Sequence, residues 1–326
     1  MSNNNNKESN NKLIIIGTGI IENISQEPIL GHLYLLLIDG ENNYNIKKLY
    51  EIETRGGVYK VNYKNNIIYC AIGNTLYLYS LIENVSNNYY EFKSIRKINE
   101  FTLINDISFL NNEYLVISDV YRSISIYSYK SENEKFNEVC RDYYPTWIYG
   151  ITQCAYNTLY TSDIDGNIIT LKKALHPKSD EEKYKLERKA YFNFGERINK
   201  MVTTKIKAKD LKEISIFENE NSDEINIVYF GTLNGSVGVI IQLNKETYEF
   251  LIKLQEIIIL KTYNNGAFDY KKWRSFKDGF VSEESCGFVE GNILEDFLNF
   301  DDEYRKKILK ELNYPWQKNI SDIINQ

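Results

Sequence analysis

The sequence is poor in the residues that soft metals, proton relays and membranes require. Only two histidines occur in 326 residues, His32 and His176. That is too few for a His-rich metal centre or a histidine proton relay. The four cysteines, Cys70, Cys140, Cys154 and Cys286, form no Cys-x-x-Cys and have no histidine close by. A zinc site needs four ligands at close spacing, so no metal is expected. Cysteines scattered through a chain of this size fit a reducing compartment. Long apolar runs are missing: Leu33 to Ile38 and Ile257 to Leu260 fall far short of the ~20 residues a membrane helix needs. The Asn-rich start has no apolar segment of signal-peptide type, and a soluble protein is expected. Positive charge is not in excess either. Lys and Arg number 39 against 45 Asp and Glu, a net charge of -6, which disfavours a protein built to grip a phosphate backbone.

What the sequence does have is a repeating strand pattern. Residues 1–11 read as a disordered Asn-rich lead-in. From 12 to 243, short strands with alternating or all-apolar cores are broken by turn residues. Five strand–turn–strand units stand out: 13–17 with 31–38, 67–72 with 75–81, 114–118 with 123–129, 158–162 with 167–171, and 227–231 with 236–243. Their starts step at intervals close to the ~40–45 residues of a four-stranded propeller blade, with longer first and last steps. The segments between are expected to supply the other two strands of each blade, 45–53 with 58–63 and 136–142 with 147–153. The charged stretch 172–189 reads as a solvated excursion. A four-stranded sheet cannot bury both faces alone, so the blades must stack.

From Asn244 the period becomes helical. Tyr248, Leu251, Ile252, Ile258 and Ile259 mark one helix, capped by Asn244 or Thr247. A second short helix is placed within 268–276. Ile293, Leu294, Phe297 and Leu298 mark a third. A fourth, capped by Asp301, carries Tyr304, Ile308, Leu309 and Leu312 and stops before Pro315. The expected fold is therefore mainly β. A partial, incomplete β-propeller of about five four-stranded blades (12–243) precedes a small helical domain (244–326).

Several strings carry a family resemblance. Phe230-Gly231-Thr232-Leu233-Asn234-Gly235-Ser236-Val237-Gly238 is followed by Trp273-Arg274-Ser275-Phe276 and by Gly287-Phe288-Val289-Glu290-Gly291. Upstream stand Ile14-Ile15-Ile16-Gly17-Thr18, Ser118-Asp119-Val120-Tyr121-Arg122-Ser123 and Arg141-Asp142-Tyr143-Tyr144-Pro145-Thr146-Trp147. In this order they resemble the C-terminal region of the superfamily that joins the large subunit of the damaged-DNA-binding complex with the A subunit of the cleavage and polyadenylation specificity factor. The Trp-Arg-Ser-Phe and Gly-Phe-Val-Glu-Gly strings favour the damage-binding branch.

The resemblance implies a non-enzymatic scaffold, an adaptor for the substrate receptors of a cullin-RING ubiquitin ligase. It would act in DNA repair and protein ubiquitination, in the nucleus and also the cytoplasm. The relatives have three propellers, and this chain matches most of the third plus the helical domain. A chain supplying the missing propellers is thus an expected partner, and an unclosed sheet edge an expected liability. Nucleic-acid contact would be indirect, and no membrane or cofactor is implied. The alternative is an mRNA 3′-end-processing subunit that binds nucleic acid itself.

By the same resemblance the receptor-binding surface comprises Arg122, Arg141 and Trp147, with Tyr121, Asn105, Ile107 and Ile198. Arg197 and Lys200 depart from the apolar residues the family carries beside Ile198. Exposed Trp with Arg is hot-spot composition. The competing reading packs Trp147 between blades and pairs the arginines with Asp119 and Asp142. Other constellations read as structure. Asp163, Asp165 and Gly166 form a hairpin turn rather than a calcium loop. Gly231, Gly235 and Gly238 lack the Gly-Lys-Ser/Thr of a phosphate loop. The paired carboxylates Glu181-Glu182, Glu283-Glu284 and Asp301-Asp302 sit in polar runs, the basic run 205–209 is followed at once by acids, and no triad is legible, so no catalytic residue is assigned.

Overall fold

The computed structural model describes residues 12–21, 27–39, 45–84, 89–111, 113–130, 135–207, 224–262, 269–279 and 281–312. The lead-in at 1–11, the far end of the basic run at 208–209 and Pro315 lie outside the described residues. Five antiparallel sheets follow one another along the chain. Strands β1 (Lys12–Gly17), β2 (Gly31–Asp39) and β3 (Asn45–Thr54) form the first. Strands β4 (Val58–Lys64), β5 (Ile67–Ile72), β6 (Thr75–Asn84) and β7 (Tyr89–Ile98) form the second. The third holds β8 (Ile104–Leu110), β9 (Tyr114–Asp119), β10 (Ser123–Lys130) and β11 (Lys135–Arg141).

The fourth holds β12 (Ile148–Ala155), β13 (Thr158–Asp163), β14 (Asn167–Lys172) and β15 (Glu187–Asn193). Between β14 and β15 the charged excursion carries one exposed turn of helix, α1 (Asp180–Tyr184), capped by Ser179. The fifth holds β16 (Ile198–Lys207), β17 (Glu224–Thr232) and β18 (Val237–Ile241). The fold is a partial β-propeller: three blades have four strands, and the first and last have three among the described residues. The five hairpins read from the sequence are all paired strands, the central pair in the second, third and fourth sheets, as Ile72 with Thr75 and Ser123 with Asp119 illustrate. The segments between them do not pair with each other: β3 closes the first sheet and β4 opens the second, and β11 and β12 likewise belong to the third and fourth.

Burial runs through the inner strands without alternating. β5, β9 and β13 share one pattern, half-buried at the first residue and buried at the next five. A strand covered on both faces needs no polar side. The contrast is β18, where Val237, Val239 and Ile241 are exposed and point to one face. Val202, Tyr229 and Val239 stand level across β16, β17 and β18, all exposed. The asparagine bias also has a local use: Asn65 and Asn66, between β4 and β5, both take positive φ (51° and 61°). A two-residue hairpin turn of that hand suits asparagine.

Contacts divide the chain into two compact units, one drawn from Met1–Ser108 and Tyr114–Val139, the other from Phe109–Glu113 and Cys140–Gln326. In the first, Leu33 and Leu35 pack with Ile68, Cys70, Ile72, Tyr79 and Phe92. In the second, Cys154, Tyr160 and Ile168 pack with Met201, Val228 and Phe230.

The helices belong to the second unit. α2 (Lys245–Thr262) starts at Asn244, whose Oδ1 accepts from Thr247 N at 2.8 Å. Its buried face is Phe250, Leu251, Leu254, Gln255 and Ile258, so of the expected stripe Leu251 and Ile258 are buried and Tyr248, Ile252 and Ile259 only partly so. α3 (Tyr270–Trp273) is a single turn that gives way to a hairpin, β19 (Phe276–Asp278) with β20 (Val281–Glu283). α4 (Gly291–Asn299) buries Ile293, Leu294 and Phe297. α5 (Asp302–Leu312) buries Ile308 and Leu312, and Asp301 caps it by accepting from Tyr304 N at 2.7 Å. These faces share one apolar cluster with α2 and Tyr270. Among the described residues no helix is long and apolar enough to cross a membrane.

Candidate partner-binding surface

In the first unit the turn after β9 is built on one carboxylate. Asp119 is buried; its Oδ1 accepts from Tyr121 N (3.0 Å) and Arg122 N (3.1 Å), and its Oδ2 from Thr102 N (2.6 Å) and Leu103 N (3.2 Å). Four donors converging on two oxygens fix the backbone of the turn. Tyr121 is carried outward, 71% exposed. The Arg122 side chain donates to Glu100 O at 3.3 Å and lies 3.8 Å from Glu138 Oε2. Asp119 is thus occupied by backbone N–H groups, among them that of Arg122. Asn105 is half-buried on β8.

In the second unit, residues 142–147 alternate. Asp142, Tyr144 and Thr146 turn inward, while Tyr143, Pro145 and Trp147 are exposed. Asp142 Oδ1 accepts from Tyr144 N at 3.1 Å, and Asp142 pairs with Arg188 at 2.9 Å. Hydrogen bonding to Asp278, with burial behind it, raises the pKa of the Tyr144 phenol. On the outer side the Arg141 guanidinium lies 4.6 Å over the Tyr143 ring. Trp147 stacks on Tyr149, centroids 6.0 Å apart and planes within 7°. Trp147 is 38% exposed, so it does not serve as core packing.

Of the seven predicted surface residues, the structure groups Tyr121 and Arg122 on one turn with Asn105 nearby on β8, and groups Arg141 and Trp147 around one loop. Two members need correction. Ile107 is 2% exposed and Ile198 is fully buried. Ile107 lies on β8, and Ile198 packs with Cys154, Met201 and Phe230. Neither offers a side chain to a partner.

Two of the strings that carried the resemblance, Trp273–Phe276 and Gly287–Gly291, meet in the second unit. Arg274 Nε donates to Glu290 Oε2 at 2.9 Å, and Nη2 pairs with Oε1. Arg274 Nη1 donates to Phe194 O at 2.8 Å, and the guanidinium lies 3.5 Å over Trp273. The Tyr270 hydroxyl donates to Glu290 Oε2 at 2.5 Å; burial, then this bond, raises its pKa. Glu290 N donates to Gln255 Oε1 at 2.6 Å, which brings in α2. A buried bidentate pair therefore joins the end of β15, α2, α3 and the loop before α4.

A second tie lies at the β13–β14 turn. Asp163 accepts from Asp165 N (3.0 Å), Asn167 N (2.8 Å) and Asn167 Nδ2 (2.6 Å). The Asn167 amide also brackets the Lys277 backbone, accepting from N at 3.0 Å and donating to O at 2.6 Å. Burial pushes the Asp163 carboxyl up to about 6, against the pull of its bonds from Asn167. Gly166 takes φ +79°, as an Asp-Gly hairpin turn requires. The reading of 163–166 as a turn is thus the observed one.

With this geometry in view, the family can be placed. The model of the CPSF A subunit region matches residues 1–299. The chain belongs to that family. Among curated relatives, DNA damage-binding protein 1 of Oryza sativa subsp. japonica is 25% identical over 308 residues, covering 94% of this chain and 27% of the relative. DNA damage-binding protein 1a of Arabidopsis thaliana is 26% identical over 306 residues, with the same coverage. DNA damage-binding protein 1 of Solanum lycopersicum is 25% identical over 309 residues. The chain thus spans about a quarter of the length of the relatives it matches (27%). The resemblance read from the strings is the relationship found.

Proposed function

We propose that this chain is a non-enzymatic protein-interaction scaffold of the damage-binding type. It presents substrate-receptor proteins to a ubiquitin ligase, acting in DNA repair and protein turnover in the nucleus. The observation that carries the reading is the pair of aromatic sets, Arg141 over the exposed Tyr143 and the exposed Trp147 stacked on Tyr149, on a loop whose inner side is fixed by Asp142. Tyr121 and Arg122 add a similar set in the other unit. Aromatic faces and planar guanidinium groups held at the surface are the composition of binding hot spots. Mechanistically the work is done by shape: aromatic faces receive a receptor helix, and the Arg forks accept its carboxylates or terminal carbonyls.

The relatives' names and the net charge of -6 do not favour the 3′-end-processing alternative, which calls for binding with a steep salt dependence. The blades (12–243) and the helices (244–326) are taken as the two domains. A chain that supplies further blades would cover the exposed rows of β16–β18. The test is capture of receptor proteins by the double variant Arg141→Ala, Trp147→Ala. Capture should fall with the fold intact; unchanged recovery would remove this surface from the reading.

A further inference from the structure

The alternation of 142–147 leaves a question that the exposed residues do not answer: what holds the row in place. Tyr143, Pro145 and Trp147 face outward, so their positions are set by the three residues between and before them. All three of those touch one side chain. Arg188 Nη2 donates to Asp142 Oδ2 at 2.9 Å and to Thr146 Oγ1 at 2.8 Å. Its guanidinium carbon lies 4.1 Å over the Tyr144 ring centre.

On another side the guanidinium is 5.6 Å from the Phe276 ring, and Phe276 meets Tyr144 and Tyr191 edge-on at 6.4 Å and 5.5 Å. Phe276 closes the Trp-Arg-Ser-Phe string. Arg188 stands in β15 opposite Leu171, and a bulge between it and Ala190 puts it on the face of Tyr191, away from Ala190 and Phe192. We infer that Arg188 is the positioning residue of the Arg141–Trp147 surface, and that Phe276 couples the C-terminal segment to that surface through it.

The chemistry suits an arginine. One planar cation satisfies a buried carboxylate and a hydroxyl through its edge while its faces lie against rings. Lysine can supply the charge but no plane. A row set in advance loses less freedom when a partner docks, so Arg188 acts on affinity without touching the partner. This inference rests on the scaffold reading only for its consequence; the positioning itself can be measured on the free chain.

The experiment is hydrogen exchange on the full chain, comparing wild type with Arg188→Met, Arg188→Lys and the double variant Arg188→Met, Asp142→Asn, which removes the stranded carboxylate. In Arg188→Met, exchange in the segment 143–149 should quicken roughly tenfold, while segments from β13 and α2 keep wild-type rates. Arg188→Lys should fall between. The double variant should keep the fast loop with the fold recovered. Wild-type exchange in 143–149, or equal quickening in every segment, would overturn the inference, the second showing a purely structural residue. Failure of the scaffold reading looks different: Trp147→Ala would leave receptor capture unchanged while the exchange result stood.

Discussion

Removing the guanidinium of Arg274 puts the buried tie between helices and blades to its hardest test. The Arg274 and Glu290 side chains are 7% and 11% exposed, so water cannot replace the lost partner. Arg274→Met keeps the stem over Trp273 but leaves the Glu290 carboxylate with the Tyr270 hydroxyl and strands the carbonyl of Phe194. Breaking a buried pair from one side costs about 3–5 kcal/mol, because an uncompensated charge remains. Taking away both partners removes that charge, so Arg274→Met with Glu290→Gln should recover much of the loss, and a coupling of about 1–3 kcal/mol is expected from the cycle. Denaturant unfolding followed by the fluorescence of Trp273 measures all four proteins. A single-variant loss below ~1 kcal/mol, or strictly additive variants, would show that the pair is an ordinary surface contact and refute the reasoning.

Other consequences can be checked with the same methods. Asp119→Ala strands four N–H groups, two of them at Tyr121 and Arg122; a loss of about 2–4 kcal/mol is expected in unfolding experiments, with faster proteolysis at that turn. Gly287 has φ +74°, and a Cβ there would sit 2.4 Å from Ala190 Cβ, so Gly287→Ala should cost about 1–3 kcal/mol in the unfolding midpoint. Asp163 titrates in the folded chain at about 6, above the ~3.9 of an unfolded aspartate. Its folded pKa being the higher, this group favours folding fully below pH ~4, and the contribution is lost as pH rises through about 6, on the order of 3 kcal/mol. Wild-type stability relative to Asp163→Asn should therefore fall between these pH values, and a flat difference would contradict the assignment.

The parts of this fold that were legible in the sequence are the local ones. Each central hairpin is a few residues of strand on either side of a Gly, Asn or Asp turn, and the helices from Asn244 and Asp301 announce their own caps. Outer strands such as β7, with its Lys93, Arg96 and Lys97, are harder because their identity depends on a partner strand rather than on their own pattern. The same distance hid the two arginines that organise the second unit. Arg188 sits in Glu187-Arg188-Lys189, which reads as solvated charge, and the bulge between Arg188 and Ala190 breaks the alternation that would have marked its face. Arg274 and Glu290 were seen as strings of a family and not as each other's partner. Ile107 and Ile198 were placed by resemblance alone, and burial decided against them.

A level rank of valine and tyrosine over three neighbouring strands has a practical outcome at the bench. Val202, Tyr229 and Val239 are wetted in the isolated protein, so environment-sensitive dyes, detergents and column resins will find that sheet. Adsorption losses during purification, and dye fluorescence well below the melting temperature, would report a sticky flank of the native state, not damage to it.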